Sequence, residues 1–345
     1  MLKNILKSFF TYSSDSIDLK DFTLFFQNVK NPHVLQHPLW NNITQKHKKV
    51  CFFYSKHENK ITAFACIIEH YRTATIQFGP LALTETDTIN AITEIYQYYK
   101  AHNFGKLTIT LPNEVSNLSE YIEYTVNKSI PFTQTINEQN WTSTIFRIDN
   151  NLDEIFKTFS ENHKRSIKKA QKENYVFSEM KESDLAEFAE LYNQLYKSRN
   201  IIKPFQNTYT VFRDLYSFLK NAELGSFLIL KDREMNIKAG ILLLFNGSTA
   251  FYQYGASDPN THTPLMHLLF YESIPFLQKR GIKNIDLGGY NHMVSETNQI
   301  FNINKFKKGF NGRMIFHGKS MIFKPNRLVY LCLSILIKVK KLLGK

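Results

Sequence analysis

The chain has 345 residues, of which 43% are hydrophobic and 21% are charged. This length suffices for two domains of ordinary size, and the composition excludes an intrinsically disordered protein. The formal net charge of +13 favours a polyanionic partner, such as nucleic acid, an anionic lipid head group or a substrate that carries phosphate.

The cysteines and the N-terminal residues indicate the cellular compartment of the protein. Cys51, Cys66 and Cys332 lack the spacing of metal ligands, and three scattered cysteines are typical of a reducing compartment. Residues 1–10 are too few to hold the apolar core and cleavage site of a signal peptide. We therefore expect a cytoplasmic protein without a metal site.

The first half of the chain has the pattern of a mixed α/β unit. Apolar stripes at helical spacing predict helices over residues 18–29 and 86–102. Apolar runs bounded by turn-forming residues predict strands at 50–54, 61–71, 73–78, 106–111 and 141–148. The order of helix, strands, helix and strand is typical of mixed α/β folds.

The second half repeats this order. Helical spacing predicts helices at 152–174, 184–198, 209–221 and 264–279. Strands are predicted at 227–230, 237–245, 249–254 and 282–287. Two units of similar order predict a structural duplication, with domains at residues 1–148 and 149–325 and a basic amphipathic tail at 326–345.

One face of the helix predicted at 152–174 is basic. Its cations recur at three- and four-residue spacing and are Lys164, Arg165, Lys168, Lys169 and Lys172. Such a face either binds a polyanion or is merely solvated.

The tail combines an apolar run, residues 328–337, with four lysines that follow it. The run is shorter than the about 20 residues that span a bilayer. A short apolar helix with basic ends lies on an anionic membrane surface or docks on the protein core. The first alternative predicts peripheral contact with the inner face of the cell membrane.

A glycine-opened strand end precedes a cluster of basic and aromatic residues. Asp286 lies near the end of the last predicted strand, and Gly288 and Gly289 let the backbone turn or a ligand come close. The cluster around Gly309 consists of Lys305, Phe306, Lys307, Lys308 and Phe310. A cation beside such a strand end suits an anion or an oxyanion. The alternative is a strand, a turn and a solvated basic loop.

This order of Asp-Leu-Gly-Gly, a polar loop and Phe-Lys-Lys-Gly-Phe resembles the C-terminal end of the Fem-type (FemABX) aminoacyl-transferases. These enzymes form peptidoglycan bridges and contain two GNAT-like (acyl-CoA N-acyltransferase-like) domains. The resemblance extends to the frame of Arg165, Ile167 and Ala170 and to the basic loop with Arg199 and Lys203. It also covers the strand segment 252–257, and in the first half the segment 35–40 that ends at Trp40.

Two departures from the family pattern concern charged residues. Family members have a phosphate-contacting lysine shortly after the tryptophan, whereas here the first lysine is Lys46. The arginine of the family's basic loop is Lys203 here, which keeps the charge but loses the planar fork of the guanidinium.

The resemblance implies an α/β fold with mixed sheets and tandem GNAT-like domains. It implies transfer of an aminoacyl group from aminoacyl-tRNA to a peptidoglycan precursor for cell wall biogenesis, without a cofactor. Lys307 would stabilise the oxyanion or contact tRNA phosphate, and Phe306 would pack against the acceptor end. Asp286 would orient a cation or accept a proton. Further substrate contacts are expected from Tyr254, Gly288, Gly289, Tyr290, Lys203, Arg199 and Trp40.

Two other functions remain open at this stage. The first is an N-acyltransferase that uses acyl-CoA or an acyl carrier protein, although the spaced glycines of the GNAT pyrophosphate loop are absent. The second is a non-catalytic basic protein that binds membrane or nucleic acid. His262, His267 and His292 lie near the predicted strand ends, where each is either a base or a loop or core residue.

Overall fold

The computed structural model describes residues 7–30, 32–45, 48–111, 116–135, 142–290, 294, 299–316 and 320–342. The chain divides into two compact units, the first made of residues 1–138 and 317–345 and the second of residues 139–316. The predicted domain boundaries at 148 and 325 differ from this division. Lys46 and Trp141, where a strand was predicted to begin, lie outside the described residues.

Within the described residues the chain forms fifteen strands. They are β1 (Lys7–Thr11), β2 (Lys49–His57), β3 (Lys60–His70), β4 (Thr73–Gln77), β5 (Leu81–Ala82), β6 (Lys106–Thr110), β7 (Phe132–Thr135), β8 (Thr142–Arg147), β9 (Val176–Glu179), β10 (Gly225–Lys231), β11 (Ile237–Asn246), β12 (Thr249–Ser257), β13 (Asn284–Tyr290), β14 (Arg313–Phe316) and β15 (Ser320–Phe323).

The same residues form eleven α-helices. They are α1 (Leu19–Asn28), α2 (Pro38–Thr44), α3 (Glu85–Ala101), α4 (Ser116–Ser129), α5 (Leu152–Thr158), α6 (Glu161–Gln171), α7 (Leu185–Ser198), α8 (Thr208–Ala222), α9 (Leu265–Gln278), α10 (Gln299–Lys308) and α11 (Arg327–Leu342).

The predicted helices and strands are present with small shifts at their ends, except for the helix predicted at 152–174. That segment is broken into α5 and α6 because Ser160 caps the second helix, its Oγ accepting a hydrogen bond from His163 N at 3.3 Å. The elements without a predicted counterpart above include α4, α10, β5, β7, β9, β14 and β15.

The first unit is built on one mixed sheet with the strand order β1-β2-β3-β4-β6-β15-β7, and β5 pairs with β3. The β4–β6 pair is parallel and the others are antiparallel. β15 enters from the far end of the chain and lies between β6 and β7. Long-range pairing of this kind explains why the first unit includes residues beyond 317.

The second unit is built on a sheet with the order β14-β8-β13-β12-β11-β10-β9. Side chains alternate between the faces of a strand, so Leu228 of β10 lies in the core with α5, α6 and α9, whereas Phe227 contacts Phe188 of α7 and Phe212 of α8. Helices therefore cover both faces of the sheet. β8 belongs to this sheet, which moves the domain boundary to its N-terminal side.

Candidate active site

β12 and β13 separate after a short parallel pairing. Thr249, Ala250 and Phe251 pair with Asn284, Ile285 and Asp286, and the register continues no further along the two strands as described. Strand ends that part leave backbone N–H and C=O groups without ladder partners. The opening beyond Asp286 can therefore accept a bound molecule, and the predicted residues of β13 lie at it.

Asp286 lies at the base of this opening and is 4% exposed. One carboxylate oxygen, Oδ1, accepts a hydrogen bond from Gly288 N at 2.7 Å. Burial raises the pKa of Asp286 to about 6, against the opposing effects of hydrogen bonds from Gly288 and Ser143 and of the charge on Lys307. The group is thus mainly a carboxylate at neutral pH.

The two glycines after Asp286 have different physical roles. Gly288 has φ of +72°, a left-handed conformation that favours glycine, and the pairing of β13 with β8 shifts register between Asp286 and Gly289. A Cβ on Gly289 would meet no described atom within 4 Å. The backbone turn thus requires glycine at 288, whereas position 289 has space for a side chain.

Lys307 of α10 reaches the same two glycines. Its Nζ donates a hydrogen bond to Gly289 O at 2.6 Å and lies 4.0 Å from the position that a Cβ on Gly288 would occupy. The residue is 8% exposed. Burial lowers the pKa of Lys307 to about 8, against the opposing effect of Asp286, so the ammonium carries a charge at neutral pH.

The structure therefore brings together Asp286, Gly288, Gly289 and Lys307, which the sequence analysis had selected. The alternative of a solvated basic loop is wrong for Lys307, because residues 305–308 are helical and Lys307 is buried. Its neighbours Lys305 and Lys308 are exposed. A buried ammonium beside a strand opening is suited to stabilise developing negative charge.

His163 holds the end of α10 in place, and the sequence analysis did not select it. Its Nε2 lies 2.8 Å from the carbonyl oxygen of Phe306. A carbonyl only accepts, so Nε2 donates, and Nδ1 accepts from the Ser160 hydroxyl at 3.2 Å. Burial lowers the pKa of His163, which favours this neutral form. The one sequence clue was a histidine on the apolar stripe of α6.

Phe306 packs inside the second unit. Its ring centroid lies 4.9 Å from that of His267 and 5.2 Å from that of Phe310. These contacts fix the turn of α10 that carries Lys307. The role of Phe306 at the acceptor end of a tRNA stays a prediction.

Aromatic side chains line the β12 side of the opening. The half-buried Tyr254 lies 5.5 Å from Phe205 and 6.2 Å from Tyr192 between ring centroids. The charge of the exposed Arg199 acts on Tyr252, where it opposes the rise in pKa to about 12 that burial causes. The roles of Tyr254 and Arg199 in substrate binding stay predictions.

Three further residues, Tyr290, Lys203 and Trp40, are predicted to contact the substrate. Tyr290 ends β13 opposite Thr142 of β8. Lys203 is exposed, and its Nζ lies 3.4 Å from Asn193 Oδ1. Trp40 belongs to the first unit and is 2% exposed, which is typical of a core residue. The roles of these three residues in substrate binding stay predictions.

The basic face of α6 is partly neutralised. Lys164 forms an ion pair with Glu161 at 2.6 Å, and Arg165 donates to Asn162 Oδ1 at 2.9 Å. Lys168, Lys169 and Lys172 are exposed, and no ion pair is found for them among the described residues. Together with the exposed Arg165, whose partner Asn162 is uncharged, these three lysines are the part of the face that can contact a polyanion.

The histidines proposed as bases differ in environment. His262 is exposed in the loop before α9. Burial and the neighbouring His163 lower the pKa of His267 to about 4, and its ring packs against those of His163 and Phe306, as expected for a core residue. His292 lies outside the described residues.

Backbone amides of the loop between β12 and α9 donate hydrogen bonds to acceptors within the same segment. Asn260 N donates to Asp258 Oδ1 at 2.9 Å, Thr263 N to Thr261 Oγ1 at 3.2 Å, and Leu265 N to Thr263 O at 2.8 Å. Two further positions, 259 and 264, are prolines, which have no N–H. Few amides of this loop are left to bind a phosphate group.

A separate cleft of about 890 Å³ in the second unit contains none of the predicted site residues. Its lining residues are Glu179, Met180, Lys181, Tyr216, Leu219, Lys220, Glu223, Gly225, Ser226, Phe227, Phe245, Gly247, Arg280 and Ile282. Two of its charged groups already pair, with Arg280 at 3.1 Å from Glu179. Geometry and charge therefore favour the strand opening as the candidate site.

Comparisons with known proteins agree with this architecture. Residues 157–298 match the family model of the acetyltransferase (GNAT) domain. The crystal structure of FemX is similar with a TM-score of 0.74 at 15% identity, over 93% of this chain and 98% of that one. L-PGS from Bacillus licheniformis is similar with a TM-score of 0.60 at 14% identity, over 93% and 96%. A search of curated proteins finds no match.

A third similar structure is the C-terminal domain of a putative lysylphosphatidylglycerol synthetase from Agrobacterium fabrum, with a TM-score of 0.60 at 11% identity, over 92% of this chain and 95% of that one. The prediction of a mixed α/β fold with tandem GNAT-like domains is confirmed. The similarity to FemX confirms the resemblance to Fem-type proteins, and the match of residues 157–298 to the acetyltransferase (GNAT) domain supports an acyltransferase.

Proposed function

We propose that this acyltransferase moves an aminoacyl group from aminoacyl-tRNA to an amine of a peptidoglycan precursor. The observation that carries the proposal is the buried ammonium of Lys307, which is held over the Gly288–Gly289 turn where β12 and β13 separate. An ester carbonyl placed in the opening would have this cation beside the oxygen that becomes negative during attack.

The reaction needs no covalent enzyme intermediate. The acceptor amine attacks the ester carbonyl, and the oxygen of that carbonyl gains a negative charge in the tetrahedral intermediate. The bond to the ribose oxygen of the tRNA then breaks as the amide forms, and the proton that the amine loses ends on that ribose oxygen, which leaves as a hydroxyl. Lys307 stabilises the oxyanion, while Asp286 supports the charge of Lys307 through their electrostatic interaction. The two strand ends supply the remaining contribution to the rate because they position the reacting groups.

The loop between β12 and α9 supports an aminoacyl-tRNA over an acyl-CoA as donor. A pyrophosphate bound at a helix N-terminus needs several free backbone amides. Here the loop uses amides of Asn260, Thr263 and Leu265 for its own hydrogen bonds. An acyl-CoA would have to break these bonds, whereas a tRNA can bring its phosphates to an exposed basic surface.

The test of this proposal is filter binding of charged and uncharged tRNA across a salt series. We expect affinity to fall steeply with salt and to be higher for charged tRNA. The triple variant Lys168→Gln, Lys169→Gln and Lys172→Gln should reduce the slope of log affinity against log salt by about 2, since each lost phosphate contact removes about 0.7–0.9.

A matched control removes the same charge from another part of the second unit, with Lys220→Gln, Lys279→Gln and Lys283→Gln. These lysines are exposed, so the control should fold normally and keep most of the salt slope. Equal slopes for the two triple variants would show that α6 makes no specific contact. Weak binding that does not distinguish charged from uncharged tRNA would contradict the aminoacyl-tRNA donor.

A further inference from the structure

α11 of the first unit has two apolar faces. Its inner face packs on the chain before β6, where Leu333 Cδ1 lies 2.9 Å from the position that a Cβ on Gly105 would occupy. Asn326, just before the helix, donates from its backbone N to Phe104 O at 2.9 Å. The helix is therefore anchored on the unit by its first turns and by one stripe of side chains.

The outer face of α11 is apolar and exposed. It consists of Leu328, Leu331, Ile335, Leu336 and Val339, whose three- and four-residue spacing places them on one side of the helix. Leu328 is 75% exposed and Ile335 is 61% exposed. With Ile337, this helix holds six of the 21 large hydrophobic side chains that are exposed among the described residues, a concentration that marks an interaction surface.

The charges that α11 itself carries are of one sign. Arg327 and Lys338 are exposed on the helix, and the sequence of α11 contains no Asp or Glu. After Glu296 the sequence has eleven lysines and arginines and no acidic residue. Like charges oppose the packing of a second copy on the same face, whereas an anionic surface complements them.

We propose that α11 lies in the surface of a membrane that contains anionic lipids, with its outer face among the acyl chains. Leu328, Ile335 and their neighbours would supply the buried apolar area, and Arg327 and Lys338 would contact the phosphates of the head groups. No helix of the described residues is long and apolar enough to cross a bilayer, so the helix would lie in the plane of the surface.

The test is co-sedimentation of the full chain with vesicles of phosphatidylcholine alone or mixed equally with phosphatidylglycerol. We expect binding to the anionic vesicles, and at least about tenfold weaker binding to neutral vesicles and to anionic vesicles at high salt. The variant Leu328→Gln with Ile335→Gln should lose at least about tenfold in affinity for anionic vesicles. The control Leu24→Gln with Leu83→Gln changes two other exposed leucines of the first unit and should bind as the original chain does.

Cys332 supplies a second measurement that does not depend on a variant. It is exposed on α11, whereas Cys51 and Cys66 are buried, so a thiol-reactive fluorophore will label this position selectively. Insertion of the outer face should shift the emission of the probe to shorter wavelength on addition of anionic vesicles.

Equal binding by the Leu328/Ile335 variant and its control would overturn the proposal. So would self-association of the chain that this variant abolishes, without vesicle binding.

Discussion

Replacing Lys307 with alanine is expected to lower the rate of aminoacyl transfer by about 10²–10³-fold, the usual loss when one oxyanion donor is removed. The substitution deletes the ammonium that lies over the Gly288–Gly289 turn. The measurement is single-turnover transfer of a labelled amino acid from charged tRNA, with circular dichroism to verify the fold. Lys307→Met, which keeps most of the volume but no charge, should lose as much.

Lys305→Ala and Lys308→Ala are the matched controls, because both lysines lie on α10 and are exposed. Each should retain nearly the original rate. A normal rate in Lys307→Ala would remove the assignment of this site, and equal losses in all three variants would indicate a general effect of charge on tRNA binding.

The pH dependence of transfer follows from the ionisation of Asp286 and Lys307. Asp286 has a raised pKa of about 6, so its carboxylate is protonated and its support for Lys307 is lost as the pH falls through 6. Lys307 has a lowered pKa of about 8, so its cation is lost as the pH rises through 8. Transfer should therefore be fastest between these two values.

Replacing Gly309 with alanine is expected to have the largest effect on stability. The new Cβ would lie 1.9 Å from His163 Cε1 and 2.1 Å from Nδ1, so the imidazole must move. It would then lose its hydrogen bond to Phe306 O. Overpacking and the lost buried bond together should cost about 3 kcal/mol. For a unit of this size, that corresponds to a melting temperature about 10 °C lower.

A double variant separates the steric clash from other effects of alanine at this position. In His163→Ala the clashing ring is absent, so Gly309→Ala should cost much less in that background. Gly289→Ala is the neutral control, because no described atom lies within 4 Å of its new Cβ. Independent, additive costs of the two substitutions would contradict the contact between His163 and Gly309.

Local patterns in the sequence predict much of this fold. The apolar runs of β10, β11 and β12 and the helical stripes of α7, α8 and α9 predicted the second unit closely, because burial of these strands and helix faces selects apolar residues. The resemblance at Asp286–Gly289 and Phe306–Phe310 selected four residues that the structure brings together. Glycine at 288 was correctly linked to a backbone turn, since its φ of +72° is a local requirement.

Other features depend on partners that lie far apart in the chain. β15 pairs with β6 and β7 across about two hundred residues, and no local pattern encodes such pairing. The burial of Lys307 also escaped the sequence analysis, because lysine is rarely buried and its surroundings come from α10 and β13. His163 could not be recognised as a support for α10, since its partner carbonyl is that of Phe306.

Donor use by the purified chain tests the central claim most directly. The chain would be mixed with amine acceptors from a peptidoglycan-precursor fraction and either charged tRNA or acetyl-CoA, each labelled in the transferred group. We predict that label moves from charged tRNA to the acceptor amine in an amide bond, and that acetyl-CoA remains intact. Transfer from acetyl-CoA while the charged tRNA remains intact would contradict the account. The strand opening would then be the site of an acyltransferase that uses acyl-CoA as its donor.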